Sequence, residues 1–111
     1  MRGKINYEGK VCIMQFSVRL TSYQKNTMLN ICDVDLVGKK ISKKNFQVDI
    51  SKNYYGKEII EKNEAENLLK NASVINMVGK EIISLSMNLG IGSEKGIKKI
   101  SGVPFLIVYK I

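Results

Sequence analysis

The stretch FSVRLTSYQKNTMLNIC, residues 16–32, decides the class of the fold. In its first part Phe16, Val18 and Leu20 alternate with polar side chains, and this period of two is typical of a strand with one buried face. The polar segment TSYQKN separates this run from a second apolar run, TMLNIC. Two such runs joined by a short polar segment predict a β-hairpin, so the fold is expected to contain antiparallel strands.

A third strand is predicted at FQVDI, residues 46–50. The same alternation directs Phe46, Val48 and Ile50 towards the core. The aromatic pair of the following NYYG segment precedes a turn glycine, and we expect one of its two tyrosines to stay exposed.

The C-terminal part of the chain supplies a closing pair of strands, GIKKIS (residues 96–101) and VPFLIVYKI (residues 103–111). The second strand is apolar on both faces, which is typical of a central position in a sheet. Pro104 has no backbone N–H, so we expect it at the start of this strand, where no hydrogen bond of the ladder is lost.

Two helices are predicted between these strands. The segment NEAENLLKNA, residues 63–72, opens with the spacing of a capping box, in which Asn63 caps the first turn and Glu66 bonds back to its amide. The segment KEIISLSMNLG, residues 80–90, ends on Gly90, a residue typical of helix C-termini. One face of this second helix is expected to be apolar and to consist of Val78, Ile82, Leu85 and Leu89.

These elements predict an α+β fold in a single domain. A chain of 111 residues is large enough for one hydrophobic core and too small for two. We expect a mixed, mostly antiparallel sheet of about five strands, with the two main helices packed against it, over residues 14–111. Residues 1–13 show neither period and are interpreted as a basic N-terminal arm that carries Arg2, Lys4 and Lys10.

The charge of the chain is strongly positive and uneven. The net charge is +8, and residues 1–57 hold 11 of the 18 basic side chains against 4 acidic ones. Such asymmetry favours a polyanionic partner, although a lysine-rich genome produces the same composition without one. All basic residues except two arginines are lysines, and lysine suits contact with phosphates better than recognition of base edges.

Membrane, metal and cofactor sites are not expected. No stretch approaches the ~20 apolar residues of a membrane span, and the N-terminus lacks the apolar centre of a secretory signal. We therefore expect a cytoplasmic protein in which Cys12 and Cys32 are reduced thiols. Because the chain has no histidine, two cysteines do not complete a four-ligand zinc site, and no cofactor is expected.

The stretch CDVDLVGKKISKKNF, residues 32–46, combines a thiol and two carboxylates with four lysines. A structural interpretation makes Asp33 the N-cap of a short apolar turn that ends at Gly38 in the left-handed conformation. A catalytic interpretation uses Cys32 as a nucleophile together with Asp33, but no histidine is present to generate the thiolate. We favour the cap, and we expect Cys32 to be a small core residue.

A run of basic residues with interleaved aromatics is the strongest candidate site. Lysines that follow a nucleic-acid backbone, with aromatic rings available for stacking, are the general pattern of contact with RNA. The competing interpretation is a solvated lysine-rich edge that blocks strand pairing. The predicted contact residues are Lys39, Lys40, Lys43, Lys44, Lys52, Tyr54, Tyr55 and Lys57, joined by Arg2, Lys4 and Lys10 of the arm.

Four motifs in order, CDVDLVGKK, NYYGKE, NMVGKE and SGVPFLI, resemble a family of short archaeal proteins classed as domain of unknown function 424. The similarity covers residues 16–111. It implies an archaeal cytosolic protein with a small α+β fold, and it suggests a link to the genes of translation. No activity comes with the family, and Phe105 stands where relatives often have a histidine, which weakens a catalytic role for that turn.

The leading hypothesis is a small basic RNA-binding protein of the archaeal translation apparatus. It would be a ribosomal or ribosome-associated protein that contacts rRNA phosphates and has ribosomal proteins as neighbours, without a membrane or a small-molecule substrate. Two alternatives remain: a small cytosolic enzyme that uses Cys32 and Asp33, and a protein–protein adaptor whose lysines are incidental.

Overall fold

The computed structural model describes residues 4–5, 11–12, 14–56 and 58–110. Within these residues the chain forms ten strands and three helices. The strands are β1 (Lys4–Ile5), β2 (Val11–Cys12), β3 (Gln15–Tyr23), β4 (Asn26–Asp33), β5 (Lys40–Lys43), β6 (Phe46–Asp49), β7 (Glu58–Glu61), β8 (Val74–Val78), β9 (Lys98–Ile100) and β10 (Val103–Tyr109). The helices are α1 (Lys52–Tyr55), α2 (Lys62–Asn71) and α3 (Lys80–Asn88).

Six strands form the main sheet in the order β7-β3-β4-β8-β10-β9. The neighbours β4 and β8 run parallel, and the other neighbouring pairs are antiparallel. Strands β5 and β6 form a separate hairpin, and β1 pairs with β2. The predicted α+β fold with a mixed, mostly antiparallel sheet is confirmed, and the sheet has one strand more than the five expected.

The hairpin of β3 and β4 is present as the sequence predicts. Eight residue pairs join the two strands, from Phe16 opposite Asp33 to Tyr23 opposite Asn26. The two turn residues, Gln24 and Lys25, both have positive φ angles, 48° and 70°. Positive φ at both central residues is typical of a type I′ turn, whose twist matches that of the two strands. Here this tight turn forms without a glycine.

The main core lies on one face of this sheet, under α2 and α3. Phe16 and Val18 of β3 face it together with Leu29 and Ile31 of β4, and all four are buried. The third member of the predicted alternation, Leu20, is 47% exposed because it lies towards the hairpin turn. The helices contribute the buried residues Ala65, Leu69, Ile82, Ile83 and Leu85 to the same core.

Strand β8 corrects the assignment of Val78 to a helix. Val78 is the last residue of β8, and Gly79, with φ of 116°, separates it from α3. The segment of residues 74–78 is short and largely apolar, and such a run has no period by which a buried strand can be told from a helix. The helix that follows buries Ile82, Ile83 and Leu85.

The ends of the helices differ from the sequence prediction at one position. Helix α2 begins at Lys62, so Asn63 is its second residue and not its cap, and its N-cap residue Glu61 makes no side-chain capping bond. The predicted capping box is therefore wrong. At the end of α3 the prediction is right, because Gly90 has a left-handed φ of 76° and its N–H donates to the Met87 carbonyl at 2.9 Å.

The second face of the sheet is covered over part of its area by residues 34–56. A small second core forms there from Cys32, Ile50, Tyr55 and Val78, all buried. The predicted strand at residues 46–50 exists as β6, but only Ile50 is fully buried, while Phe46 is 52% exposed. The alternation was right about the strand and wrong about Phe46, because β6 pairs only with β5, at a distance from the main core.

Strand β10 lies between β8 and the edge strand β9. Leu106 faces the main core, whereas Ile107 is 50% and Tyr109 is 69% exposed on the second face. The prediction of an interior strand is right, because β10 pairs with a strand on each side, but its second face is not buried as the two apolar faces suggested. Pro104 is the second residue of the strand, opposite Lys99, and its position near the strand start agrees with the prediction.

The predicted N-terminal arm falls largely outside the described residues. Only β1 and β2 are described there, as a short antiparallel pair in which Lys4 lies opposite Cys12. Among the described residues, no helix is both long and apolar enough to cross a membrane.

Candidate nucleic-acid interface

The four lysines of the predicted basic run lie in and beside the β5–β6 hairpin. Lys39 precedes β5, and Lys40 and Lys43 are its first and last residues. Lys44 follows in the turn with φ of 53°. All four side chains are exposed, so the hairpin carries its positive charge into solvent.

A groove separates this hairpin from strand β9 and the segment around it. Its volume is about 450 Å³, and it brings together two lysine pairs that are far apart in the sequence. An exposed aromatic ring, Phe46, belongs to its wall. We call it the basic groove, and its lining residues are Lys43, Lys44, Asn45, Phe46, Lys98, Lys99 and Ile100.

Sequence reasoning did not include Lys98 and Lys99 among the site residues. The adjacent lysines of GIKKIS were visible, but nothing local connects them to the hairpin. The connection is tertiary: the Ser101 hydroxyl donates to the Ser42 carbonyl and ties the hairpin to the β9–β10 turn. Phe46, which we predicted to be buried, is the aromatic side chain of this groove.

Lys52 and the two tyrosines lie on the one-turn helix α1. Its cap is Ser51, whose hydroxyl oxygen accepts a hydrogen bond from the Tyr54 N–H at 3.1 Å. Tyr54 is 40% exposed, as expected for one of the pair, whereas Tyr55 is 6% exposed and burial raises its pKa. Tyr54 therefore presents its ring at the surface, and Tyr55 belongs to the second core.

A second basic depression of about 530 Å³ lies beside α1. Arg19, Lys52, Asn53 and Gly56 line it, and the Arg19 guanidinium donates to the Asn53 carbonyl at 3.2 Å. This bond holds Arg19 on the second face of the sheet. Arg19 belongs to β3, near one edge of the sheet, whereas the basic groove lies at the opposite edge beside β9. Lys57, Arg2 and Lys10 lie outside the described residues, and Lys4 is described only as part of β1.

Asp33 caps a helix, but not the turn that the sequence predicts. The turn after it is the 3-10 segment Val34–Leu36, to which Asp33 makes no side-chain capping bond. Its carboxylate instead accepts hydrogen bonds from the N–H groups of Glu81 and Ile82, at 2.9 and 2.8 Å, and so caps the first turn of α3. The prediction that Asp33 is a helix cap is therefore right, but the helix that it caps is α3 and not the turn of residues 34–37.

Gly79 permits this contact. A Cβ atom at residue 79 would lie 2.3 Å from Cγ of Asp33, closer than any real contact. The N–H of Gly79 donates to the Pro104 carbonyl at 2.9 Å, so three of the sequence motifs meet at this corner. Gly38 also has the expected left-handed conformation, with φ of 90°.

The corner contains a small cavity of about 230 Å³ lined by Asp33, Asp35, Leu36, Lys80, Gly102, Val103 and Pro104. Burial is the main cause that raises the pKa of Asp33 to about 6, against the lowering effect of the two amide hydrogen bonds. Both carboxylate oxygens are already engaged by α3. The described residues contain no group of three or more His, Cys, Asp and Glu side chains that could hold a metal ion.

Cys32 is fully buried beside this corner. Burial, reinforced by the charges of Asp33 and Asp35, raises its pKa to about 12. A thiol with such a pKa stays protonated at neutral pH, and the thiolate is the nucleophilic form. These properties disfavour the catalytic interpretation of Cys32.

Comparisons with known proteins give a family and a fold. The family model described as "Protein of unknown function (DUF424)" matches residues 21–111. The chain is similar to a solved structure of an uncharacterized conserved protein from the archaeon Methanopyrus kandleri, with a TM-score of 0.75 and 22% sequence identity over 87% of this chain and 92% of that chain. No curated protein matches the chain.

Proposed function

The chain belongs to the DUF424 family, whose function is unknown, and from this premise we propose that it is a small RNA-binding protein. In this proposal it works in the cytoplasm as a ribosomal or ribosome-associated component of archaeal translation. Its basic groove holds phosphates of folded rRNA, and ribosomal proteins are its neighbours.

The composition of the basic groove carries the proposal. Lys43 and Lys44 approach from the hairpin and Lys98 and Lys99 from strand β9, and no acidic side chain is among the lining residues. Four lysines that line one groove make its surroundings positively charged, and such a groove attracts the phosphates of a polyanion. Phe46 adds an exposed ring on which a base can stack.

The main alternative is a solvated edge whose lysines only block strand pairing. Strand β9, which carries Lys98 and Lys99, is an edge strand of the main sheet, so that role accounts for these two lysines. It gives no reason for lysines of two separate sheets to line one groove together with an exposed phenylalanine. The enzyme alternative has less support, because the Cys32 thiol is buried and protonated and the Asp33 oxygens are engaged by α3.

The test compares two variants with the same loss of charge. The groove variant changes Lys43, Lys44, Lys98 and Lys99 to Gln. The control variant changes Lys62, Lys70, Lys80 and Lys95, which lie outside the groove, to Gln. Both are assayed for folding by urea denaturation, for binding to fragmented rRNA, and for cosedimentation with ribosomal subunits over a series of salt concentrations.

We expect the groove variant alone to lose most of its binding while remaining folded. If the four lysines contact about four phosphates, the slope of log affinity against log salt should become less negative by about 3 to 4. Equal losses in both variants would indicate a diffuse effect of net charge. Unchanged cosedimentation of the groove variant would refute the proposal.

A further inference from the structure

We propose that the uncovered half of the second sheet face binds unpaired RNA bases, next to the phosphate contacts of the basic groove. This inference rests on the proposed function, because it names the part of an RNA that the protein would hold. We call this surface the open half, and it consists of Met28, Tyr54, Asn76, Ile107 and Tyr109.

The strand register defines the open half. Cys32, Val78 and Phe105 form one row across β4, β8 and β10, and this row lies in the second core beneath residues 34–56. Side chains two positions along a strand point to the same face. The next rows on this face are therefore Asn30, Asn76 and Ile107, followed by Met28, Val74 and Tyr109.

Three side chains of these two rows are exposed where the covering segment ends. Met28 is 38%, Ile107 50% and Tyr109 69% exposed. Tyr54 borders the rows from α1, and its hydroxyl accepts a hydrogen bond from the Asn76 amide at 3.4 Å. Two tyrosine rings and apolar side chains thus lie on one face of a sheet, which is the general arrangement on which unpaired bases stack.

Asn30, in the same row as Asn76 and Ile107, has a side-chain acceptor without a hydrogen-bond donor in the part of the chain that the structure describes. The residue is 2% exposed, and its amide nitrogen donates to the Tyr54 carbonyl at 3.3 Å. Its oxygen Oδ1 is buried and has no partner among the described residues. A buried acceptor without a donor is uncommon in native structures, and here it lies beside Tyr54, which borders the open half.

The charges around the open half favour a nucleic acid over an apolar protein as its ligand. On this face β4, β8 and β10 present no Asp or Glu. A basic side chain stands at one border of the open half, where Arg19 lies opposite Asn30. Lys98 lies opposite Phe105, in the row next to that of Ile107. Because Lys98 also lines the basic groove, one RNA strand can leave the groove and continue over Ile107 and Tyr109.

The test uses a 12-nucleotide oligouridylate and a 12-base-pair RNA duplex as probes. The variants are Tyr109→Ala, Tyr109→Phe and Tyr54→Ala, and Leu20→Ala is the control because Leu20 is 47% exposed on the other face. Binding is measured by anisotropy of labelled RNA at fixed salt. Since the chain has no tryptophan, its fluorescence comes from its five tyrosines, and the part of the RNA-induced quenching that is lost in the Tyr54 and Tyr109 variants reports stacking on these two rings.

We expect Tyr109→Ala and Tyr54→Ala each to bind the oligouridylate roughly 5- to 100-fold more weakly, the range of one lost stacking contact. Duplex binding should be nearly unchanged in both. Tyr109→Phe and Leu20→Ala should behave like the wild type, and the quenching of tyrosine fluorescence by the oligouridylate should be reduced in the two alanine variants.

The outcomes separate this inference from the proposed function. If both tyrosine variants bind the oligouridylate normally while the groove variant does not, the open half does not bind bases and the groove proposal stands. If the wild type binds neither probe nor rRNA, the proposed function fails. If Tyr109→Ala keeps its RNA affinity but no longer cosediments with ribosomal subunits, the open half binds a protein and the inference is overturned.

Discussion

At the scale of single residues, Asp33 links two segments that are far apart in the sequence. It ends β4, and both of its carboxylate oxygens accept hydrogen bonds from the first turn of α3. The cap therefore fixes the position of the helix against the sheet. Gly79 is required beside it, because any side chain there would collide with the carboxylate.

Replacement of Asp33 by Ala should destabilise the fold by about 2 to 4 kcal/mol, because the change leaves two amides at the start of α3 without an acceptor and removes charge-assisted bonds. Asp35→Ala is the matched control, since Asp35 is exposed and should change stability by no more than about 0.5 kcal/mol. Urea denaturation measures both. Equal effects of the two substitutions would contradict a cap by Asp33.

The pKa of Asp33 predicts a dependence of stability on pH. Burial raises this pKa from 3.8 to about 6 in the folded protein. Between these values the folded state binds more protons than the unfolded state, so the free energy of unfolding decreases as the pH rises from about 4 to about 6. Above that window the group lowers stability by at most about 3 kcal/mol relative to acid conditions.

The comparison protein for this effect is Asp33→Asn, which has no carboxyl group to titrate at residue 33. We expect the wild type to lose stability relative to Asp33→Asn as the pH is raised through this window. Urea denaturation at pH 4, 5, 6 and 7 measures the difference between the two proteins. If the free energy of unfolding changes with pH in the same way in both proteins, the Asp33 pKa is the same in the folded and the unfolded state.

At the scale of elements, the β5–β6 hairpin is anchored at its base and is also tied to the β9–β10 turn through Ser42 and Ser101. Ile50, directly after β6, is fully buried in the second core, and its N–H and carbonyl bond to residues 39 and 38. The tip of the hairpin, with Phe46, extends to the basic groove. The hairpin thus combines a structural base with an exposed end that is free to contact a ligand.

Substitutions in this hairpin should separate the two ends. Ile50→Ala should cost about 2 to 5 kcal/mol of stability, because it opens a cavity in the second core. Phe46→Ala should leave the free energy of unfolding nearly unchanged, since its ring is 52% exposed, but should weaken RNA binding. Urea denaturation and RNA titration of both variants measure these effects. Strong destabilisation by Phe46→Ala would mean that the ring is part of a core.

At the scale of the whole molecule, the two faces of the sheet have different roles. The first face is closed by α2 and α3 over the main core. The second face is covered by residues 34–56 in one part and open in the other, and both candidate RNA contacts lie on that side. The larger core thus lies on the first face, and the open part of the second face is available for ligands.

The reactivity of Cys32 should report whether the cover over the second face opens separately. Its thiol is fully buried and its pKa is raised to about 12, so alkylation by iodoacetamide in the native state should be slow and should accelerate only in denaturing urea. Mass spectrometry of the peptides distinguishes Cys32 from Cys12. Fast native alkylation of Cys32 at neutral pH would show local opening of residues 34–56, or an activated thiol as the enzyme hypothesis requires.

The sequence by itself determined the local elements: the hairpin of residues 16–32, the end of α3 with Gly90, the place of Pro104 near the start of β10, and the α+β class. These depend on periodicity and on turn residues, which act between near neighbours. Only the tertiary structure decided the place of β8, the partner of Asp33, the exposure of Phe46 and the meeting of Lys98 with the hairpin. Each of these is a contact between segments far apart in the chain, and such contacts leave no period or spacing in the sequence from which they could be predicted.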